Sequence, residues 1–155
     1  MSSTEIELSH DAREFITFEV AGMDYCIEIA AVREIRGWST TTPLPHAPDY
    51  FMGVINLRGS VLPVIDLARR LGQPASTPSA RHAVIVLQMD DRTVGLLVDA
   101  VADILAIDDE HIEAIPSSAS EKARSFVTGI ISTDDKMIRV LGLDTIIPDS
   151  EQAAA

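Results

Sequence analysis

The 155 residues carry 12 basic and 24 acidic side chains, a formal charge of −12, with 46% hydrophobic residues and one cysteine. A field of that sign repels nucleic acid and anionic lipid and favours cations or basic protein patches as partners. A single cysteine excludes an internal disulfide, no apolar run reaches the roughly 18 residues of a membrane span, and the acidic start MSSTEIELSHDAR lacks a signal-peptide profile; the expected setting is the cytoplasm, with no insertion into a membrane.

The length predicts one domain with its own core. Residues 1–13 and 149–155 are polar, lack apolar periodicity and read as disordered tails around a domain over residues 14–148. In EFITFEV (14–20) apolar and polar residues alternate, Gly22-Met23-Asp24 supplies a turn and Tyr25-Cys26-Ile27 returns, so a hairpin is predicted. Residues 28–32 fit a short helical turn, and residues 33–36 alternate again. Residues 38–49, with Pro43, Pro45 and Pro48, read as an extended loop, because proline lacks the amide that a helix or sheet interior needs.

Residues 53–72, GVINLRGSVLPVIDLARRLG, are the most locally specified stretch: a strand to Leu57, a tight turn at Arg58-Gly59, a strand over residues 61–65 and a short helix. Asn56 and Gly59 are the turn residues. The simplest turn is type I closed by Gly59 in the left-handed region, which leaves Arg58 projecting as a cation on a stiff tip. Asp66 is placed to cap the helix through its carboxylate and Gly72 to end it.

Residues 73–80, QPASTPSA, break the composition and predict a linker between two β-rich halves. Strands follow over residues 82–89, 93–98 and 101–107, with a turn at Asp90-Asp91 and a brief helical turn at residues 108–110. Residues 116–120 read as loop. A last hairpin covers residues 126–143, and Asp144 is predicted to cap a closing turn ended by Pro148. Four hairpins with short helical pieces predict an all-β fold of two small barrels side by side, since closure removes exposed strand edges.

The chain offers no nucleophile elbow, no reactive-cysteine signature and no glycine cluster to cradle phosphate. Cys26 sits among apolar residues and reads as a buried thiol. His10, His46, His82 and His111 are scattered, and the acids at 108–110 lack the glycine and alternation of a calcium loop. Asp66 has no acidic pair upstream for magnesium, and Asp144-Thr145 lacks the glycine of an aspartic-protease loop. No enzyme, cofactor or metal is predicted. What remains is an interaction module, with Val32, Met52 and Val101 as candidate apolar contacts and Arg58 as the rigidly held charge.

The run GVINLRGSVLPVIDLARRLG, with Val32-Arg33-Glu34-Ile35-Arg36 upstream, VGLLVDAVADIL at 94–105 and FVTGI at 126–130, resembles the CheW family of bacterial chemotaxis coupling proteins. The resemblance covers residues 14–148. It implies two SH3-like five-stranded barrels with a core between them, no enzymatic activity, and two partners: the cytoplasmic tip of a transmembrane chemoreceptor and the C-terminal regulatory domain of the histidine kinase CheA. Val32, Gly53, Arg58, Val101 and Ile104 match the family's receptor-facing groove, and Glu34 and Arg58 its charge pair. The kinase contact is implied on the face near Phe18, Ile27 and Ile35. Pro43 and Pro45 make the 38–49 loop stiffer than the family pattern, and Ala68 stands where the family often has Arg. A coupler of another receptor–kinase pathway, such as surface motility or second-messenger control, is the alternative, with a small-molecule-binding barrel behind it.

Overall fold

The computed structural model describes residues 12–116 and 125–148. Residues 1–11 of the tail expected at 1–13, the tail expected at 149–155 and most of the loop expected at 116–120 lie outside the described residues. Arg13, assigned to the tail from sequence, is instead the first residue of a strand.

Eleven strands follow one another: β1 (Arg13–Val20), β2 (Met23–Glu28), β3 (Val32–Gly37), β4 (Phe51–Leu57), β5 (Ser60–Asp66), β6 (Ala83–Met89), β7 (Arg92–Val98), β8 (Ala100–Ile107), β9 (Ile112–Glu113), β10 (Val127–Ser132) and β11 (Met137–Leu141). Two four-residue helices, α1 (Leu67–Arg70) and α2 (Leu143–Ile146), and 3-10 turns at Ile29–Ala31 and Asp109–His111 complete the described elements. The four expected hairpins form as β1–β2, β4–β5, β6–β7 and β10–β11. α2 starts after Gly142, so Asp144 lies inside its first turn and does not cap it.

The strands form a six-stranded sheet, β8-β1-β2-β11-β10-β9, and a five-stranded sheet, β3-β6-β7-β5-β4. Parallel pairing of β2 with β11 and of β5 with β7 joins the hairpins, which hairpin signals alone do not specify. The 73–80 segment does not divide the chain into two units: β3 to β5 before it and β6 and β7 after it lie in one sheet, while β1 and β2 join the C-terminal strands. The division expected there is corrected, because sheet membership follows burial of both faces and not chain proximity.

Period-2 alternation explains the packing. In β1, Ile16, Phe18 and Val20 face a large core between the sheets, and Phe15 faces a second cluster with Cys26, Ile131, Ile138 and Val140. In β6, Ile85 and Leu87 face the shared core, and Val84 and Val86 a third cluster with Ile55, Leu57, Leu62 and Val64. Strands buried on both faces read as unbroken apolar runs, which is why residues 83–87 show no polar alternation. Leu105 of β8 and Ile112 of β9, on opposite edges of the six-stranded sheet, pack against the same second cluster, so that sheet curls around it. A core inside each curled sheet and one between them agree with two small barrels side by side.

Candidate functional site

β4 and β5 are joined by the two residues between Leu57 and Ser60. Arg58 and Gly59 both take positive φ, +52° and +88°, the signature of a type I′ hairpin turn and not the type I turn expected. The type I′ twist matches that of the flanking strands, and the Asn56 Oδ1 accepts from the Gly59 amide at 2.9 Å, stabilising the turn. Arg58 therefore projects from a stiff tip, as expected.

Its partner Glu34 is placed by a bulge. β3 pairs with β6 as Val32↔Leu87 and then Glu34↔Val86, so Arg33 is the extra residue. Val32 lies on the face of Leu87, toward the shared core, and Glu34 on the face of Val86, toward the interior of the five-stranded sheet. Arg58 Nη1 donates to Glu34 Oε1 at 3.4 Å and Nη2 donates to Oε2, a bidentate fork. Arg36 Nη1 lies 3.7 Å from Glu34 Oε1. The hydrogen bonds from Arg58, with the charges of Arg58, Arg36 and Arg33, hold the Glu34 carboxyl below the usual range and raise the Arg58 guanidinium further. β3 is one edge of the sheet, and Arg58 tips the hairpin containing the other edge, so the pair latches the sheet's two edges together. Beside it a pocket of about 160 Å³ is lined by Arg33, Arg58 and Val61, and Val61 is 72% exposed.

A second bulge shapes β8. Thr17↔Asp103 is followed by Phe18↔Val101, leaving Ala102 unpaired, and the buried Thr17 hydroxyl holds it by accepting from Asp103 N at 3.0 Å and donating to Asp103 O at 3.3 Å. Val101 thus opposes Phe18 and Ile104 opposes Ile16, so residues three apart share one face. Val101 packs at the rim of the shared core, as does Val32, while Ile104 is 52% exposed.

Not every residue matched to the family pattern is accessible. Gly53 is buried with φ +137°, and a Cβ there would lie 2.4 Å from the Thr42 carbonyl oxygen, so its place is to admit the 38–49 loop against β4. Phe18 and Ile27 are interior, at 1% and 0% exposure, and are corrected as contact residues; Ile35 is exposed. A strand pattern reports alternation but not which face a second sheet covers. Asp66 is corrected too. It stands at the start of α1, but its carboxylate makes no cap and instead accepts from Ser76 N at 2.8 Å and Ser76 Oγ at 2.7 Å, pinning the 73–80 segment.

Two features escaped sequence reasoning. His82 links Ser79 to Asp99: Ser79 Oγ lies 3.2 Å from Nδ1, and Nε2 lies 3.4 Å from Asp99 Oδ1. This triad-like trio is structural, because Nδ1 already accepts from the Ser79 amide at 3.0 Å and Asp99 Oδ2 accepts from the Ala21 amide at 3.0 Å. A base whose lone pair is engaged cannot activate the hydroxyl. The other is an apolar pocket of about 280 Å³ between the β4–β5 hairpin and the C-terminal turn; Leu44 on the proline loop was its one exposed sequence signal. Asp108, Glu110 and His111 bring ligand atoms within 4.8 Å of one another at an exposed turn, a common arrangement of solvated acids. Among the described residues no helix is long and apolar enough to cross a membrane.

The CheW-like domain model matches residues 14–151. The chemotaxis protein CheW of Rhizobium meliloti is 48% identical over 155 residues, covering all of both chains. That of Klebsiella aerogenes is 33% identical over 141 residues, covering 91% of this chain and 85% of its own. The crystal structure of the scaffolding protein TtCheW from Thermoanaerobacter tengcongensis superposes with a TM-score of 0.81 at 32% identity, covering 92% of this chain and 97% of that one. With the two-sheet architecture and the NLRG turn in place, the chain belongs to the CheW-like family.

Proposed function

We propose that this protein is a non-enzymatic cytoplasmic adaptor that couples the cytoplasmic tip of a chemoreceptor to the regulatory domain of the histidine kinase CheA, and so associates with membrane receptor arrays through its partners. The observation that carries the reading is the Arg58–Glu34 latch. A bidentate pair anchored on two strands presents a guanidinium in fixed orientation next to the exposed Val61, the combination of directed charge and apolar surface that gives an interface its specificity. Val32, Val101 and Ile104 supply apolar surface on the inter-sheet side, and Gly53 acts on the site only through the loop it admits. The family membership and the CheW names of the relatives support the same reading.

The test is calorimetric titration of wild type, Arg58→Glu and Glu34→Ala with a receptor cytoplasmic hairpin and, separately, with the kinase regulatory domain. Arg58→Glu is expected to weaken receptor binding by about tenfold or more, and Glu34→Ala by less, because the cation persists but loses its orientation. Kinase binding should persist in both. Wild type binding neither partner would overturn the coupling role.

A further inference from the structure

β8 is an edge of the six-stranded sheet, paired on one side with β1 and with no strand on its other side among the described residues. Val101 and Ile104 lie three residues apart on it, and a regular strand turns side chains of odd spacing to opposite faces. The bulge at Ala102 takes one residue out of the count. Val101 opposes Phe18 and Ile104 opposes Ile16, both of them residues of the core between the sheets. The two apolar side chains thus stand in one row, two residues of β1 apart, or about 6.6 Å. Side chains one turn apart on an α-helix are separated by a similar distance, about 5–6 Å.

The lock on the bulge comes from Thr17. Its Oγ1 accepts from Asp103 N at 3.0 Å and donates to Asp103 O at 3.3 Å. Thr17 is buried and opposes Cys26, on the side of β1 that carries Phe15 and the second apolar cluster. A hydroxyl in such surroundings needs a partner, and the Asp103 peptide groups supply it. Asp103 adds a lock of its own, its Oδ1 accepting from the Ile104 amide at 2.9 Å. That amide is closed to an added strand, so a partner meets this part of β8 through side chains.

We infer that Thr17 is the positioning residue of the receptor-facing surface: its hydroxyl holds Val101 and Ile104 in one row, at the spacing of side chains on successive turns of a partner helix. Resting on the coupling role proposed above, that helix belongs to the receptor's cytoplasmic hairpin. Without the hydroxyl, β8 is free to resume regular pairing, in which Ala102 opposes Phe18 and Val101 opposes Glu19, off the face of Ile104.

Thr17→Val, Thr17→Ser and Ile104→Asp, with folding verified by circular dichroism, are titrated calorimetrically beside wild type with the receptor hairpin and with the kinase regulatory domain. Valine keeps the shape of threonine without its hydroxyl, and serine keeps the hydroxyl. Thr17→Val and Ile104→Asp are expected to weaken receptor binding about tenfold and Thr17→Ser to stay within about twofold, with kinase binding within about twofold in all three. In NMR spectra, Thr17→Val should replace the Phe18–Val101 cross-strand contact by Phe18–Ala102 and speed hydrogen exchange at the Asp103 amide, and Thr17→Ser should do neither. Deleting Ala102 from Thr17→Val restores the row without a bulge, so receptor binding should return to within about threefold of wild type, whether or not Thr17→Val folds by itself. Receptor binding unchanged in Thr17→Val while Ile104→Asp weakens it overturns the inference and leaves the coupling role standing. An unchanged Phe18–Val101 contact in Thr17→Val, an equal loss of kinase binding there, an equal loss of receptor binding in Thr17→Ser, or no recovery on deleting Ala102 overturns it as well. Ile104→Asp without effect, or wild type that binds no receptor hairpin, overturns the receptor surface itself and the inference with it.

Discussion

Gly53→Ala provides the sharpest test of how the β4 surface is built. A Cβ at this position would sit 2.4 Å from Thr42 O, 2.7 Å from Thr42 C and 3.0 Å from Pro43 Cα, all backbone atoms that no rotamer change can move. The φ of +137° adds backbone strain of about 1–3 kcal/mol for any L side chain. Relieving the clash lifts the 38–49 loop off β4 and breaks the two Thr42–Val54 hydrogen bonds, about 1 kcal/mol each. The sum, about 3–5 kcal/mol, is a large part of the 5–15 kcal/mol of a typical domain. Urea unfolding followed by the fluorescence of Trp38, the sole tryptophan, which packs on the nearby core, is the assay. With an m-value of about 2 kcal/mol/M the midpoint should fall by about 2 M. Gly59→Ala is the control: its φ is +88° but nothing lies within 4 Å, so it should cost only about 1–2 kcal/mol. A Gly53→Ala midpoint within about 0.5 M of wild type, or equal losses in the two variants, would refute the close-approach reasoning.

Three further outcomes follow from single contacts. Ser76→Ala removes the hydroxyl donor to the buried Asp66 carboxylate and should cost about 1.5–3 kcal/mol while speeding amide exchange in residues 73–80; a loss below about 0.5 kcal/mol would contradict the pinning role. Arg70 donates from Nε to Ile146 O at 2.8 Å and from Nη2 to Thr145 O at 2.9 Å, and stacks on Tyr50 and Phe126. Lysine lacks the planar fork, so Arg70→Lys should lose about 2 kcal/mol in thermal unfolding, and a neutral substitution would show that charge alone suffices. Burial pushes the Cys26 thiol up to about 12 from 9.0, so folded protein should resist alkylation at pH 8 until denatured. Because the folded state keeps the proton that the unfolded thiol releases, stability should fall as pH rises from 9 toward 12, and stability that is flat in this window in wild type, or an equal decline in Cys26→Ala, would contradict the assignment.

Local chemistry was sufficient for much of the chain. The four hairpins, the turn at Arg58-Gly59, the end of α1 at Gly72 and the loop spanning three prolines follow from steric preferences and from a two-residue period, which near neighbours in sequence set. Resemblance to a known family supplied the Glu34–Arg58 pair, which no local pattern contains. The pairing of β2 with β11, the sharing of one sheet by β3 and β6 across residues 73–80, and the burial of Phe18 and Ile27 required the folded chain. So did the diversion of Asp66 from the helix start to Ser76, and the bulges at Arg33 and Ala102 that decide which side chains share a face. Each of these depends on which distant strand covers which face. That choice is made by total apolar burial and by the hydrogen-bond demands of buried polar groups such as Asp66 and Thr17, and neither is a property of any short stretch of sequence.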